Sequence, residues 1–394
     1  MNYSKAVNFQ RHFLFILFFI FGALFSAAAQ SGIKIQHGPY LQNVGENEVT
    51  ILWITSKDAM SWVEVAPDDE SHFYADERPQ YFQTENGRKL VGKLHQIRIK
   101  GLEKGTTYRY RIYSREVFDN LNWDTSFGKV AASNPYQTFS FTTLDQDKSE
   151  FSFTVVNDIH EDPEALEDLL SHVDLEERDF VFYNGDMMTH INSEEHMFKG
   201  FMDKTVELFA SHKPFYFARG NHETRGPFST RFMDYFPTPS GKPYFTFRQG
   251  PVFFLFLDGG EDKPDSDIEY GGLSYFDEYR EEQAEWLQQV VESEEFKSAP
   301  QKVAIIHIPP YTSTWYGTLE VERLFAPILN EAGIDLMISG HTHRHGFIPK
   351  GEKGNQFPIL INGNREVLDV QVQPSGMHIQ IKDREGNLKH EFDF

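Results

Sequence analysis

The chain has 394 residues, with 59 acidic against 37 basic side chains and a net charge of −22. That length allows two domains of ordinary size, each able to bury a core. The acidic excess argues against a nucleic-acid backbone or an anionic membrane surface as partner, although local metal ions can still hold a phosphate-bearing molecule. Cysteine is absent, so there are no disulfides, and the 37 Phe point to aromatic-rich strands rather than a helical bundle.

In chain order, the first segment stands apart from any fold. Lys5 and Arg11 precede an apolar run from Phe13 to Phe25, and Ala27, Ala28 and Ala29 then suit cleavage before Gln30. Residues 1–29 are read as a signal peptide, with an uncleaved anchor as the alternative; the apolar run is shorter than the ~20 residues that span a bilayer. A periplasmic or secreted destination, in a bacterium, fits this leader. No stable membrane span is expected after cleavage.

From 33 to 145 the pattern is all-β. The runs "VTILWIT", "SWVEVA", "HQIRIKGL", "TTYRYRIYS" and "YQTFSFTTL" are short, β-branched and aromatic, and most alternate like half-buried strands. Tyr108, Tyr110 and Ile112 share one face and Arg109 and Arg111 the other. Gly105 before Tyr108 is similar to the tyrosine corner of β-sandwiches. Trp53 reads as a core aromatic. The segment looks like a fibronectin type III-like sandwich, and nothing in it gathers polar groups into a site.

Beyond the polar linker "DQDKSE", residues 150–394 change character. Strand "FSFTVV" leads to Asp162, a helix N-cap followed by Pro163, after which Leu166, Leu169, Leu170 and Val173 form one apolar stripe. "FVFYN", "PFYFA", "PVFFLFLD", "KVAII" and "DLMIS" read as further strands, and Val321, Leu324, Phe325, Ile328 and Leu329 as a helix face ending at Gly333. Alternating strands and helices predict an α/β domain.

Chemistry-bearing residues follow five of these strands: Asp158 and His160; Asp186; Asn221 and His222; His307; His341 and His343. In α/β sheets the crevice beyond the C-terminal strand ends is the ligand site, so the five ends converge there. Gly185, Gly220 and Gly340 allow sharp turns, and the i, i+2 pairs leave one face. Two Asp, one Asn and four His offer oxygen and nitrogen but no sulfur, which suits Zn, Mn or Fe. Two divalent ions against two Asp leave about +2 to hold a hydroxide and a phosphate oxyanion, and an ion pair ~3.5–4 Å apart accommodates a ligand set too large for one metal.

With these residues in view, the chain resembles the calcineurin-like metallophosphoesterases, whose D-x-H, G-D, G-N-H-[DE], H and G-H-x-H blocks appear in that order as Asp158-Ile-His160, Gly185-Asp186, Gly220-Asn221-His222-Glu223, His307 and Gly340-His341-Thr-His343. The leading sandwich, opening "GPYLQN", resembles the N-terminal domain of purple acid phosphatases. The resemblance implies a four-layer α/β/β/α sandwich behind the all-β domain. It implies that Asp158, His160 and His343 bind one metal, that Asn221, His307 and His341 bind a second, and that Asp186 bridges. His222 would assist the leaving oxygen, with Glu223 orienting it, while a metal-bound hydroxide attacks phosphorus.

Two departures qualify the likeness. Thr189 stands where purple acid phosphatases place the Tyr that colours their Fe(III), so no such chromophore is expected. Tyr316 and Gly317 stand where they often carry a His pair. His345 reads as a surface or supporting residue, His190 and His196 as solvated loop histidines that could touch substrate, and Arg225 as either a phosphate clamp or a structural ion-pair partner. "GGEDKPDSDIEYGG" reads as a mostly solvated loop that could wall the cleft. The expected activity is an exported phosphatase acting on phosphate monoesters, small molecules or phosphoproteins. The alternatives are a phosphodiesterase or nucleotide hydrolase on the same centre and, from another class, a non-catalytic envelope binding protein.

Overall fold

The computed structural model describes residues 32–120, 124–134 and 136–394. The expected signal peptide, 1–29, lies outside the described residues. Among them no helix is long and apolar enough to cross a membrane.

The N-terminal part is built from β1 (Ile35–Gln42), β2 (Glu48–Pro67), β3 (Gln80–Phe82), a two-residue hairpin β4 (Thr84–Glu85) and β5 (Arg88–Lys89), β6 (Gly92–Lys100), β7 (Thr107–Asp119), β8 (Ser126–Ala132) and β9 (Phe139–Thr142). "VTILWIT" and "SWVEVA" are one 20-residue strand rather than two. Its first half pairs with β1 and β6 and its second with β3 and β7; the register slips between Ile54 and Ala59. The polar stretch Ser56-Lys57-Asp58 between the two runs lies in the irregularity at which β2 changes partners. Trp53 is wholly buried and donates its indole N–H to Ser114 Oγ at 2.8 Å. The tyrosine corner is present: Glu103 N–H donates to the Tyr108 hydroxyl at 2.9 Å.

Behind it, β10 (Phe151–Val156), β11 (Phe180–Asn184), β12 (Phe215–Ala218), β13 (Phe245–Gln249), β14 (Val252–Leu257), β15 (Gln301–Ile306), β16 (Leu336–Ser339), β17 (Gly346–Ile348), β18 (Ile359–Ile361), β19 (Glu366–Gln373), β20 (Gly376–Asp383) and β21 (Leu388–Asp393) form two six-stranded sheets. Their orders are β12-β11-β10-β19-β20-β21 and β13-β14-β15-β16-β18-β17. The runs β12-β11-β10 and β14-β15-β16-β18 are parallel.

Alternation along single strands sets the layers. Val252, Phe254 and Phe256 enter the core between the sheets, whereas Phe253, Leu255 and Leu257 meet the helices Phe276–Glu292, Tyr316–Leu324 and Ala326–Ala332. On the other sheet the helix Pro163–Leu170 covers the outer face through Leu166, Leu169 and Leu170, capped as expected by Asp162, which accepts from Ala165 N at 2.9 Å. The order is helix, sheet, sheet, helix. Much of the Phe content fills the middle: Phe153, Phe182, Phe254 and Phe256 pack edge-to-face or tilted at 4.7–5.5 Å.

The β-sandwich packs directly on this core. Leu41, Val65 and Ile112 belong to the same apolar cluster as Phe153 and Phe254. Buried hydroxyls cross the seam: Tyr40 donates to Tyr235 O, Tyr110 to Ser211 O and Tyr216 to Val44 O at 2.8–3.0 Å.

Candidate metal centre

Strand ends of both sheets deliver the site. Asp158 and His160 follow β10, Asp186 follows β11, Asn221 follows β12, His307 follows β15, and His341 and His343 follow β16. The two sheets are pinned together where these strands end. The Asn184 amide donates across the gap to the carbonyls of Ile306 and Ile338 at 3.4 and 3.2 Å. The Asn184 carbonyl in turn faces His307 Nδ1 at 2.6 Å, so with the proton on Nδ1 the other ring nitrogen points into the cleft.

Six of the seven residues expected as ligands meet around this seam, and Asn221 sits on the loop after β12 next to His222, whose backbone N–H donates to Asp186 Oδ1 at 2.9 Å. Two triplets stand out, Asp158 with His160 and His343, and Asp186 with His307 and His341; within each, one donor atom per residue lies within 4.8 Å of the others. His343 Nε2 is 3.2 Å from Asp158 Oδ1 and 3.1 Å from His160 Nε2, while His307 Nε2 is 2.9 Å from Asp186 Oδ2. The triplets abut, with His307 Nε2 only 3.8 Å from Asp158 Oδ1. Asn221 is 1% exposed.

The hydrogen-bond inventory shows why these side chains suit cations. Both polar atoms of the Asn221 amide are buried without a hydrogen-bond partner, and Asp158 Oδ1 and His307 Nε2, equally buried, face only other members of the cluster, His343 Nε2 and Asp186 Oδ2 among them. Each such group costs about 1–3 kcal/mol when left alone, and charged groups cost more. A cation satisfies the oxygen and imidazole lone pairs together; mixed O/N donors without sulfur suit a first-row transition ion or zinc.

Protonation is shaped by the same crowding. Burial opposes charge on His307, yet Asp186 and Asp158 prevail and hold it up at about 10. A hydrogen bond to Asp158 raises His343, while burial lowers His160 and takes His341 down to about 4. Asp186, despite burial, is held low by His307. An imidazole that keeps its proton cannot ligate, so a cation here takes the proton's place.

The loops reach this arrangement by a route the spacing did not reveal. Asp158, His160, Glu161, Asp186, His341 and His343 all have left-handed φ between 48° and 70°. The paired residues therefore converge through strained turns beyond the strands, not through strand alternation. Of the three glycines, Gly185 has the positive φ of +83°. Gly220 and Gly340 provide room instead: a Cβ would meet Asp186 Oδ1 at 2.2 Å and the Asn157 amide at 2.9 Å.

His222 stands at the rim. Its Nδ1 lies 3.0 Å from the Thr189 carbonyl and its Nε2 3.9 Å from Asp186 Oδ2. Glu223 does not orient it. The buried Glu223 carboxylate accepts from the backbone N–H groups of Asp186, Met188 and Gly220 at 2.8–3.0 Å, tying two ligand loops together. Burial and the Asp186 charge push Glu223 up to about 7 against those donors.

Arg225 is an ion-pair partner, bidentate to Glu261 at 2.8 and 2.7 Å and 3.1 Å from Asp262. Its guanidinium also stands 3.3 Å from the His222 ring nitrogens. Gly259 to Asp262 are buried, so the first part of that acidic loop is wall rather than solvated surface. His190 reaches the His222 ring at 6.5 Å, and His196 lies 3.7 Å from Glu161. His345 leaves the cluster and stacks on His390 at 3.8 Å. Beside His190 and Arg225 opens a groove of about 570 Å³, whose far wall is Tyr270, Leu273 and Phe276.

Sequence reasoning missed Asn157 and Asn362. The Asn157 amide donates to Asp158 Oδ2 at 2.6 Å and the Asn362 amide to Asn157 Oδ1 at 2.7 Å. A signal was there to be read: "INGN" after β18 repeats the strand–Asn–Gly pattern of "YNGD" after β11.

Fold and clusters together define a mixed α/β protein with paired His/Asp sites suited to metal ions, carried behind an all-β domain. Comparison with known families agrees. Residues 151–345 match the calcineurin-like phosphoesterase family and residues 37–143 the purple acid phosphatase N-terminal domain. The chain thus carries a calcineurin-like phosphoesterase domain behind a purple acid phosphatase N-terminal domain. Among relatives, it is 25% identical to purple acid phosphatase 22 of Arabidopsis thaliana over 64% of this chain and 53% of that protein. With probable purple acid phosphatase 20 of the same plant the identity is 24% over 89% of this chain and 79% of that one. A solved structure described as GAP50, the anchor in the inner membrane complex of Plasmodium, superposes with a TM-score of 0.46 at 12% identity, over 63% of this chain and 89% of that one.

Proposed function

We propose that the protein is an exported phosphatase that hydrolyses phosphate monoesters at a two-metal centre. The observation that carries the reading is the convergence at one seam of buried ligand atoms on Asp158, Asn221 and His307 that find no partner outside the cluster. In this reading Asp158, His160 and His343 hold one ion, Asn221, His307 and His341 the second, and Asp186 contributes to both. The metals are Fe, Zn or Mn, matched to an O/N donor set. When bound, such ions polarise the phosphoryl group and lower the pKa of water, making a nucleophile available near neutral pH.

The chain's own residues supply the rest. Thr189 O fixes His222 through Nδ1, which leaves Nε2 facing the cleft. Carrying a proton there, His222 passes it to the ester oxygen as the P–O bond breaks and water's oxygen joins phosphorus. Asn157 and the His341 N–H hold Asp158 Oδ2 at 2.6 and 3.0 Å, leaving Oδ1 free to ligate. Glu223 keeps the Asp186 and Asn221 loops in register through its three amide bonds.

Two measurements test the reading. His222→Ala should lower kcat on p-nitrophenyl phosphate by ~10²–10⁴ while leaving metal content unchanged. Full activity in that variant removes the assigned role. A comparison of p-nitrophenyl phosphate with its bis-ester should favour the monoester; strong preference for the bis-ester moves the function to phosphodiester hydrolysis.

A further inference from the structure

Trp315 is a large aromatic side chain that the fold holds in place without using it for packing. It is 60% exposed, and its indole lies edge-on to the His341 ring with centroids 6.4 Å apart. Among the described residues its one ring contact is with that histidine.

The backbone beneath it is fixed from several directions. Trp315 N–H donates to Ser313 Oγ at 3.2 Å, and its carbonyl accepts from Leu319 N at 3.0 Å as the helix Tyr316–Leu324 begins. The next residue, Tyr316, donates its hydroxyl to Asp277 at 2.8 Å. Gly317 N–H donates to Asp262 O at 3.0 Å, so close that a Cβ on Gly317 would meet Asp262 Cα at 2.7 Å. Asp262 in turn pairs with Arg225, whose guanidinium stands against His222. The mount is thus tied to the same wall that supports the rim histidine.

An exposed indole on a rigid mount beside a ligand histidine presents a preorganised aromatic face to whatever enters the cleft. A planar aromatic group stacks on an indole through its offset face, while a saturated group of equal size gains only burial.

We propose that Trp315 is a specificity residue, stacking on the leaving group of phosphate esters whose alcohol portion carries a planar aromatic ring. The inference rests on the phosphoester-hydrolase reading above and narrows its substrate class. Trp315 takes no part in bond breaking; it discriminates among esters that the centre already accepts.

Phosphonates test this without turnover, because their carbon–phosphorus bond is not an ester. Dissociation constants of phenylphosphonate and cyclohexylphosphonate are measured by calorimetry on the metal-loaded protein and on Trp315→Ala and Trp315→Phe. The wild type should bind the phenyl compound about tenfold more tightly, Trp315→Phe should keep most of that preference, and Trp315→Ala should lose it. A wild-type ratio near one, or a ratio that survives in Trp315→Ala, overturns the assignment while leaving the phosphoester site intact. Failure of the wild type to bind either phosphonate overturns the phosphoester reading and this inference with it.

Discussion

The middles and the ends of the same strands obey opposite rules. Within β11, Phe182 sits wholly buried among Phe153, Phe254 and Phe256, each pair in a favourable aromatic geometry. Four residues on, Asp186 is as deeply buried but lies in a left-handed loop among carboxylates and imidazoles whose inward atoms meet only one another. One region is closed and satisfied by the chain itself. The other is held open by the chain and completed only by something bound. Stability is therefore stored mid-strand, and chemistry is placed where the strands run out.

Paired substitutions should separate the two most sharply. Phe182→Ala removes a ring from the inter-sheet layer and should cost about 3–5 kcal/mol of unfolding free energy, read from denaturant midpoints, with little effect on kcat in the protein that remains folded. His222→Ala should do the reverse, leaving the midpoint unchanged while activity falls. If both variants lose activity and stability in parallel, the division between middle and end is wrong.

Glu223 lies on the boundary and should show both effects. Glu223→Ala leaves the N–H groups of Asp186, Met188 and Gly220 without their acceptor and should cost about 2–3 kcal/mol of stability, together with weaker metal retention. Glu223→Gln, which keeps one acceptor oxygen, should recover part of each. Normal metal retention in the alanine variant would show that the loops are fixed by other means.

The smallest expected effect concerns protons. Without cations, His307 is held at about 10 against an ordinary value of 6.5, burial being outweighed by Asp186 and Asp158. The stability that its charge contributes is fully present below 6.5 and is lost as pH rises through 10. A cation must displace that proton, so zinc added to weakly buffered metal-free protein near pH 7 should release protons, and uptake should weaken as pH falls. His307→Gln should release fewer. Equal release in the variant would place the displaced proton elsewhere.

The sequence exposed the layers because alternation and helical periodicity are local signals. The stripe Leu166–Leu169–Leu170 and its Asp162 cap sit as expected, and the helix ending at Gly333 is there, although Ala326-Pro327 divides it in two. The long β2 was harder to read, since its slip at residues 55–58 is written in polar residues that also spell a loop. The site was legible as residue types after strands; its mechanism of convergence was not. Left-handed turns at Asp158, Asp186 and His341 leave no compositional trace, because Asp and His are not the residues that advertise positive φ as glycine does. Glu223 shows the same limit: its neighbour in sequence is His222, but two of its three partners are backbone amides brought from another strand end. Trp315 carries no signal of its own in the sequence, and only the fold places it beside His341.

Anomalous diffraction from crystals of the metal-loaded protein tests the central claim most directly. Two peaks per chain are predicted, one ligated by Asp158, His160 and His343, the other by Asn221, His307 and His341, with Asp186 touching both. A single ion, or two ions with Asn221 and His307 Nε2 still unliganded, would contradict it.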